Sequence, residues 1–385
     1  MFLKNLKLTN FRNFAQVDLD FNQVTLLVGN NAQGKSNLLE SIYFLATSKS
    51  PRADKDIQLI KEGEEFLRVG GEVNNFQFSI FNFQKKENID HQRTTNNEQP
   101  TNLEIFIQKR ENSESLEKRT KVNGVGRRVT DYIGNLVVIH FSPEDINLVT
   151  GAPALRRWHL DLTLAQVDRK YKNALNTYHT ALISKNKILK GIKEGIARVD
   201  ELDFWNEQMV ASGDLITQER QHFFTFINGH INEGNLGNFR FVYEESLISE
   251  DRIREYLGRE VAAGNSLIGP HRDDFVFKLD NKDLEYFGSR GEQRTAVLEL
   301  KLAELNFFKA WPFSKRPGLG QLVPVLLLDD VFSELDEDHR DYVISIIGNQ
   351  QTILSVVELA QIPKKFLKGI KVVKVEKGKI ISLST

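Results

Sequence analysis

Alternating apolar and polar positions open the chain. Leu6 and Leu8, then Val17, Leu19 and Phe21, recur at period two, as in half-exposed strands, and Val24 to Val28 is apolar almost throughout, as in a strand buried on both faces. Helical spacing takes over at Leu38, Leu39, Ile42, Tyr43 and Leu45 and runs to about Ser48. Period two returns between Phe66 and Val129, in Phe76-Phe78-Ile80 and Leu103-Ile105-Ile107, with Asn123-Gly124 marking a hairpin turn. The polar stretch Lys85 to Pro100 predicts an exposed, mobile hairpin tip, and Leu136 to Phe141 reads as another buried strand.

At Ser142-Pro143-Glu144-Asp145 the pattern changes. A serine cap, a proline at the first helical position and acids in the first turn predict a helix start, because they satisfy and complement the exposed N–H groups. Apolar residues then step by threes and fours through Leu160, Leu164, Val167, Tyr171, Ala174, Tyr178 and Leu182. After a break at Gly191 to Gly195, a second run follows through Leu202, Trp205, Met209, Ser212, Ile216, Phe223, Phe226 and His230. Two such runs around a polar loop predict an antiparallel helical hairpin, either a projecting arm or part of a compact helical domain. Strand signals resume after Gly234, in Phe239 to Tyr243 and Phe275 to Phe277. A helix over Gly291 to Trp311, a buried strand over Val323 to Leu328, a helix over Asp336 to Ile347 and a strand over Thr352 to Val357 complete the pattern. The expected organisation is an α/β body in two parts, residues 1–145 and 236–385, with a helical insertion at 146–235 and no internal repeat.

A length of 385 residues agrees with more than one body, since single cores rarely grow beyond about 250 to 300 residues. The 51 Lys and Arg against 52 Asp and Glu give a net charge of -1, so an anionic partner must be held by local basic patches. The lack of cysteine removes disulfides, thiolate zinc sites and cysteine nucleophiles. No apolar run approaches the roughly 20 residues of a membrane span, and a charged amphipathic stretch follows Met1 to Asn5, so a cytoplasmic protein without membrane contact is expected.

Chemistry concentrates where the first buried strand ends. Gly29-Asn30-Asn31-Ala32-Gln33-Gly34-Lys35-Ser36-Asn37 fits a glycine-bounded phosphate loop, placed as that loop must be between a strand and a helix. Successive backbone N–H groups and the positive helix end converge there on the β- and γ-phosphates of a nucleotide. Lys35 meets the phosphate charge, and the Ser36 hydroxyl completes the shell of Mg2+. Val325 to Asp330 ends a strand expected beside the loop strand in two carboxylates, Asp329 for magnesium and Asp330 for orienting and deprotonating the attacking water. Ser289, with the glycine amide of Gly291 at a helix N-terminus, reads either as a plain helix cap or as a second anion site for a γ-phosphate.

These elements together resemble ATP-binding-cassette heads of the SMC type and, within them, the RecF family of recombination and repair proteins. The resemblance is carried by Asn10-Phe11-Arg12-Asn13-Phe14, Gly29 to Asn37, Phe141 to Asp145, Gly151-Ala152-Pro153 with Arg156-Arg157, Gly269-Pro270-His271-Arg272-Asp273-Asp274, Ser289 to Arg294, and Leu328 to Asp336, in family order along the whole chain. It implies an ABC-ATPase head of mixed sheets and helices with an inserted hairpin-like arm, a magnesium-dependent weak ATPase. Arg12 and Gln293 join the nucleotide-binding set. It also implies an ATP-dependent homodimer, each ATP lying between the phosphate loop of one subunit and Ser289/Gly291 of the other, with Asp336 near the seam. DNA, double-stranded and at gapped or single-strand junctions, and mediators of the RecR and RecO type are the implied partners.

Departures from the family pattern bear on mechanism. Ala32 stands where these loops often have glycine, a change the backbone tolerates if it needs no positive φ there. Ser36 replaces threonine, and Asp330 is a methylene shorter than the usual glutamate, which predicts slow turnover. No clear glutamine-loop residue is present and no histidine follows Thr352 to Ser355; His271 and Arg272 either substitute or form a polar turn. Candidate DNA phosphate contacts are Lys109-Arg110, Arg127-Arg128, Arg156-Arg157 and Lys364-Lys365 with Lys368; each pair alone reads as solvated surface, and DNA binding is expected from the resemblance. Rival readings are an ATPase subunit of another ABC system, an overcoming-lysogenization-type nuclease, for which too few residues follow Asp330, and a nucleotide-gated dimerisation module without hydrolysis.

Overall fold

The computed structural model describes residues 1–74, 99–110, 115–231, 237–311, 322–335, 337–362 and 369–383. The stretch expected to form a mobile tip, Lys85 to Pro100, lies outside the described residues apart from its last two. The chain divides into two compact units, Met1–Glu144 with Phe308–Thr385, and Asp145–Phe307.

The first unit holds two six-stranded sheets. One is antiparallel and runs in space Phe14–Asp20, Phe2–Phe11, Phe66–Asn74, Thr101–Lys109, Leu116–Val122, Val125–Arg127. Its register pairs Leu6 with Leu19 and Leu8 with Val17, so the period-two residues fall on one buried face. Asn123-Gly124 is the two-residue turn that pairs Val122 with Val125. The other sheet runs Lys379–Leu383, Lys371–Glu376, Val24–Val28, Thr352–Val356, Val325–Asp329, Val138–Phe141, parallel throughout except for the first strand. The helix Lys35–Thr47 lies between the two sheets and is buried from Leu38 onwards, which accounts for the apolar residues around its circumference.

At the entry to the second unit the expected helix start is a short 3-10 turn, Pro143–Ile146, and the long helices begin at Pro153. The apolar stripe from Leu160 to Leu182 is interrupted, because Asp168 leaves the helical conformation and accepts hydrogen bonds from Lys170 N–H (2.7 Å) and Tyr171 N–H (3.1 Å). Helices Arg169–Lys193 and Asp203–Asn228 then pack as the expected hairpin. It is part of a compact body and not a free arm. Phe224 stacks on Tyr243 at 5.2 Å and meets Phe275 at 5.0 Å, fastening the hairpin to a three-stranded sheet of Phe239–Glu244, Asp274–Leu279 and Lys282–Asp283. Lys185 and Glu260, both 0% exposed and 2.8 Å apart, tie it to the helix Glu250–Ala263. The second unit runs to Phe307, so the hairpin and the phenylalanines of the three-stranded sheet share one compact body.

Candidate nucleotide-binding site

Parallel strands gather their C-terminal ends along one sheet edge, the usual place for a ligand in an α/β sheet. Here those ends are Val28, Asp329 and Val356. The carboxylate strand does not adjoin the loop strand as expected: Thr352–Val356 lies between them. Its Ser355 closes the gap, sitting opposite Asp329 in register. The buried Ser355 hydroxyl donates to Asp329 Oδ1 (2.7 Å) and accepts from the Asp330 N–H (2.9 Å), so one side chain orients both acids. A serine within the apolar run Thr352 to Val357 was the available signal.

Gly29 leaves the loop strand against its neighbour, where a Cβ would stand 2.3 Å from the Val375 carbonyl oxygen; no larger residue fits. Lys35 is 6% exposed, and its Nζ donates to the carbonyls of Gly29 (2.5 Å) and Asn30 (3.0 Å). Burial lowers its pKa, against which the charges of Asp330 and Asp329 act to raise it. The ammonium thus lies across the loop mouth with both acids in electrostatic range. Asn30, Asn31 and Ala32 are exposed, and Gln33, Ser36 and Asn37 are half-buried. Ala32 has φ 62°, so the positive angle that glycine would tolerate is present after all, and alanine holds it under strain. Asp330 also has a positive φ, 49°, at the start of the one-turn helix Val331–Glu334.

Arg12 bears on the loop helix. Its Nε and Nη2 grip Glu40 at 3.0 and 2.6 Å, its Nη1 donates to the Gln58 carbonyl (2.9 Å), and Glu40 also accepts from Ser50 Oγ (2.5 Å). Glu40 is wholly buried, so the pairing satisfies a carboxylate that burial would otherwise penalise. Neither Glu40 nor Ser50 had a sequence signal.

Ser289, Gly291 and Gln293 belong to the second unit. Ser289 and Glu292 form a reciprocal cap, Ser289 N–H donating to Glu292 Oε2 (2.7 Å) and Glu292 N–H to Ser289 Oγ (3.3 Å). Ser289 and Gly291 are exposed. Gln293 is 4% exposed and donates to the Leu284 carbonyl (2.8 Å), so it braces the cap from beneath and is not presented to a ligand.

The segment Gly269 to Asp274 forms a polar turn. Asp273 accepts from Arg220 Nη1 (2.6 Å), Ser246 N–H (2.7 Å) and the Tyr243 hydroxyl, and Asp274 holds Arg156 bidentately at 2.7 and 2.8 Å. His271 faces the Tyr178 hydroxyl through Nδ1 (2.8 Å) and the Ser266 carbonyl through Nε2 (3.2 Å), and burial pulls its pKa down to about 4. Arg272 donates to the same carbonyl at 2.9 Å.

Arg156 is buried against Asp274, and Arg157, half-buried, donates to the Asp273 carbonyl (2.8 Å). Lys109 pairs with Glu65 at 3.2 Å, whereas Arg110, Arg127 and Arg128 are exposed. Lys364, Lys365, Lys368 and Asp336 lie outside the described residues.

Magnesium suits the donor set. Ser36 and Asp329 offer hard oxygen ligands, and among the described residues no group of three or more His, Cys, Asp or Glu could hold a metal alone, as expected of a cation that arrives with nucleotide phosphates. Among the described residues, no helix is long and apolar enough to cross a membrane.

Comparison with known proteins agrees with this architecture. Residues 2–380 match the family described as RecF/RecN/SMC N terminal domain. The chain is 34% identical to the DNA replication and repair protein RecF of Ligilactobacillus salivarius, covering 99% of this chain and 97% of that one. It is 32% identical to the protein of that name from Agathobacter rectalis, with 99% of each covered. A solved structure of the recombination mediator protein RecF with ATP, in the RecFOR pathway, superposes with a TM-score of 0.83 at 28% identity over 100% of this chain and 98% of that one. The Smc head domain from Pyrococcus yayanosii shares the fold at a TM-score of 0.53 and 12% identity, over 100% of this chain and 97% of that one. With its phosphate loop, its paired acids and its Ser289 cap, the chain belongs to the RecF family of DNA replication and repair proteins, built on an ABC-type ATPase head related to that of SMC proteins.

Proposed function

We propose that this chain is an ATP-dependent DNA-binding protein of recombinational repair that dimerises on ATP. The observation that carries the reading is the division of anion-binding chemistry: Lys35, Asp329 and Asp330 are gathered at one sheet edge, while Ser289 and Gly291 stand exposed on the other unit. Each ATP would be shared between the loop of one subunit, Gly29 to Asn37, and the Ser289/Gly291 cap of its partner. Bound magnesium, held by Ser36 and Asp329, would neutralise charge on the phosphates. Asp330 takes a proton from the attacking water as its oxygen bonds to the γ-phosphorus and the bridging oxygen leaves with ADP. The short Asp330 side chain must draw that water closer than a glutamate would, which makes hydrolysis slow; a single-turnover rate matching fast transporters would contradict this.

In this reading the dimer binds DNA at junctions of single and double strands in the cytoplasm and, with mediators of the RecR and RecO type, helps load recombinase at gaps. The names of the relatives support that assignment. Sedimentation with and without ATP tests the core of it. The wild-type protein should shift to a dimer on ATP. Lys35→Met should lose both nucleotide binding and dimerisation, and Ser289→Arg only dimerisation. A dimer that forms equally without nucleotide would refute the shared site.

A further inference from the structure

Two tight turns from opposite ends of the sequence converge on one peptide of the phosphate loop. Lys377-Gly378 connects Lys371–Glu376 with Lys379–Leu383, with φ 47° and 70° at its two residues, the geometry of a two-residue hairpin turn. Its Gly378 N–H donates to the Gln33 carbonyl (3.1 Å), and its Lys377 N–H donates to Gln33 Oε1 (2.8 Å). The second turn, between Phe2–Phe11 and Phe14–Asp20, supplies Asn13. Asn13 Nδ2 donates to the same Gln33 carbonyl (3.0 Å), and Asn13 Oδ1 accepts from Asn37 Nδ2 (2.9 Å). The two turns also touch each other, since a Cβ on Gly378 would stand 2.4 Å from the Asn13 carbonyl oxygen.

We propose that Asn13 and the Lys377-Gly378 turn form a clasp that holds the phosphate loop in its nucleotide-receiving shape before ATP arrives. A carbonyl has two acceptor directions, and here both are taken by the clasp. A trans peptide is planar, with its C=O and N–H opposed, so fixing the Gln33 carbonyl towards the turns fixes the Gly34 N–H away from them. That N–H is one of the loop donors on which phosphate binding depends. A loop ordered in advance does not have to be ordered by the ligand, and affinity rises accordingly. Asn13 and Gly378 are therefore positioning residues: they act on the nucleotide through Gln33 and touch none of its atoms.

The inference rests on nucleotide binding at Gly29 to Ser36, and titration calorimetry of the full chain with ATP separates the two. Gly378→Ala forces a methyl against Asn13, and Asn13→Ala removes the side-chain arm of the clasp. Each should raise the Kd for ATP about tenfold, and the Kd for ADP by a similar factor, at a temperature where the nucleotide-free variant is folded. Gly369 is the matched control, a glycine at φ 82° with nothing within 4 Å of its added Cβ, and its variant should bind ATP as the wild type does. A purely structural turn would change unfolding temperature in Gly378→Ala and leave affinity untouched. Wild-type affinity in both clasp variants would overturn the proposal; if Gly378→Ala does not fold, Asn13→Ala decides alone. A wild-type protein that binds no ATP would overturn the functional reading and the clasp with it.

Discussion

Ala32 and Asp330 both carry left-handed backbone, and they call for opposite remedies. Ala32 is exposed in the loop and holds φ 62° with a side chain that is only a methyl group. Ala32→Gly should raise the unfolding free energy in urea by about 0.5 to 1 kcal/mol, because relief of the left-handed alanine outweighs the added freedom of the unfolded chain. Asp330 at φ 49° is different, since the same backbone turn directs its N–H to Ser355 and starts the next helix. Asp330→Asn should slow steady-state phosphate release by about 10²- to 10⁴-fold, the range for loss of a general base, while ATP-dependent sedimentation persists. Unchanged release would show that Asp330 is not the catalytic base. Ser355→Ala should cost about 1 kcal/mol of stability and also lower the rate, because it frees Asp329 and leaves the Asp330 N–H without its acceptor.

At the scale of elements, what the sequence made legible was whatever has a period or a local signature. The phosphate loop could be read because strand, glycines, lysine and helix are contiguous from Leu26 to Leu39; the helical hairpin could be read because its stripe recurs every three or four residues. Hidden from that reading were pairings between distant segments. Thr352–Val356 inserts between the two nucleotide-site strands by sheet order alone, and Gln33 meets Lys377 across 344 positions. Asp168 broke the first helix because its carboxylate could cap the next one, a local competition that apolar spacing does not register. The turn Gly269 to Asp274 was ambiguous for the same reason: its partners Tyr178, Arg220 and Arg156 come from other helices. This turn makes a pH prediction. His271 faces Tyr178 and Ser266, with Arg272, Arg157 and Glu260 acting on its charge, and is held neutral by burial with a pKa of about 4, against 6.5 as the ordinary value. Between those values the unfolded chain binds the proton and the folded one does not, so stability falls as pH drops through 6.5 towards 4. Unfolding free energy should decline by about 2 kcal/mol on this account between pH of about 7 and 5, and His271→Gln should flatten that part of the profile.

For the whole molecule, a net charge of -1 means that no global field draws DNA in, so the DNA binding proposed must come from local clusters counted one phosphate at a time. Burial of Arg156 against Asp274 removes one cluster, and the exposed Arg127-Arg128 at the outer edge of the antiparallel sheet is the clearest that remains among the described residues. Each phosphate contact releases condensed counterions, so affinity for a duplex with a single-stranded end should fall steeply between about 50 and 200 mM salt, by a slope set by the number of contacts. ATP should steepen that slope as well as tighten binding, since the proposed dimer would bring two copies of the cluster to one duplex. Arg127→Ala with Arg128→Ala should weaken binding alike across DNA sequences and reduce the salt slope by about 2 per subunit engaged, at unchanged ATP affinity. Fluorescence anisotropy across a salt series, with and without ATP, measures both quantities. A double variant with the wild-type slope would exclude this edge as the DNA contact, and a slope indifferent to ATP would separate DNA binding from dimerisation.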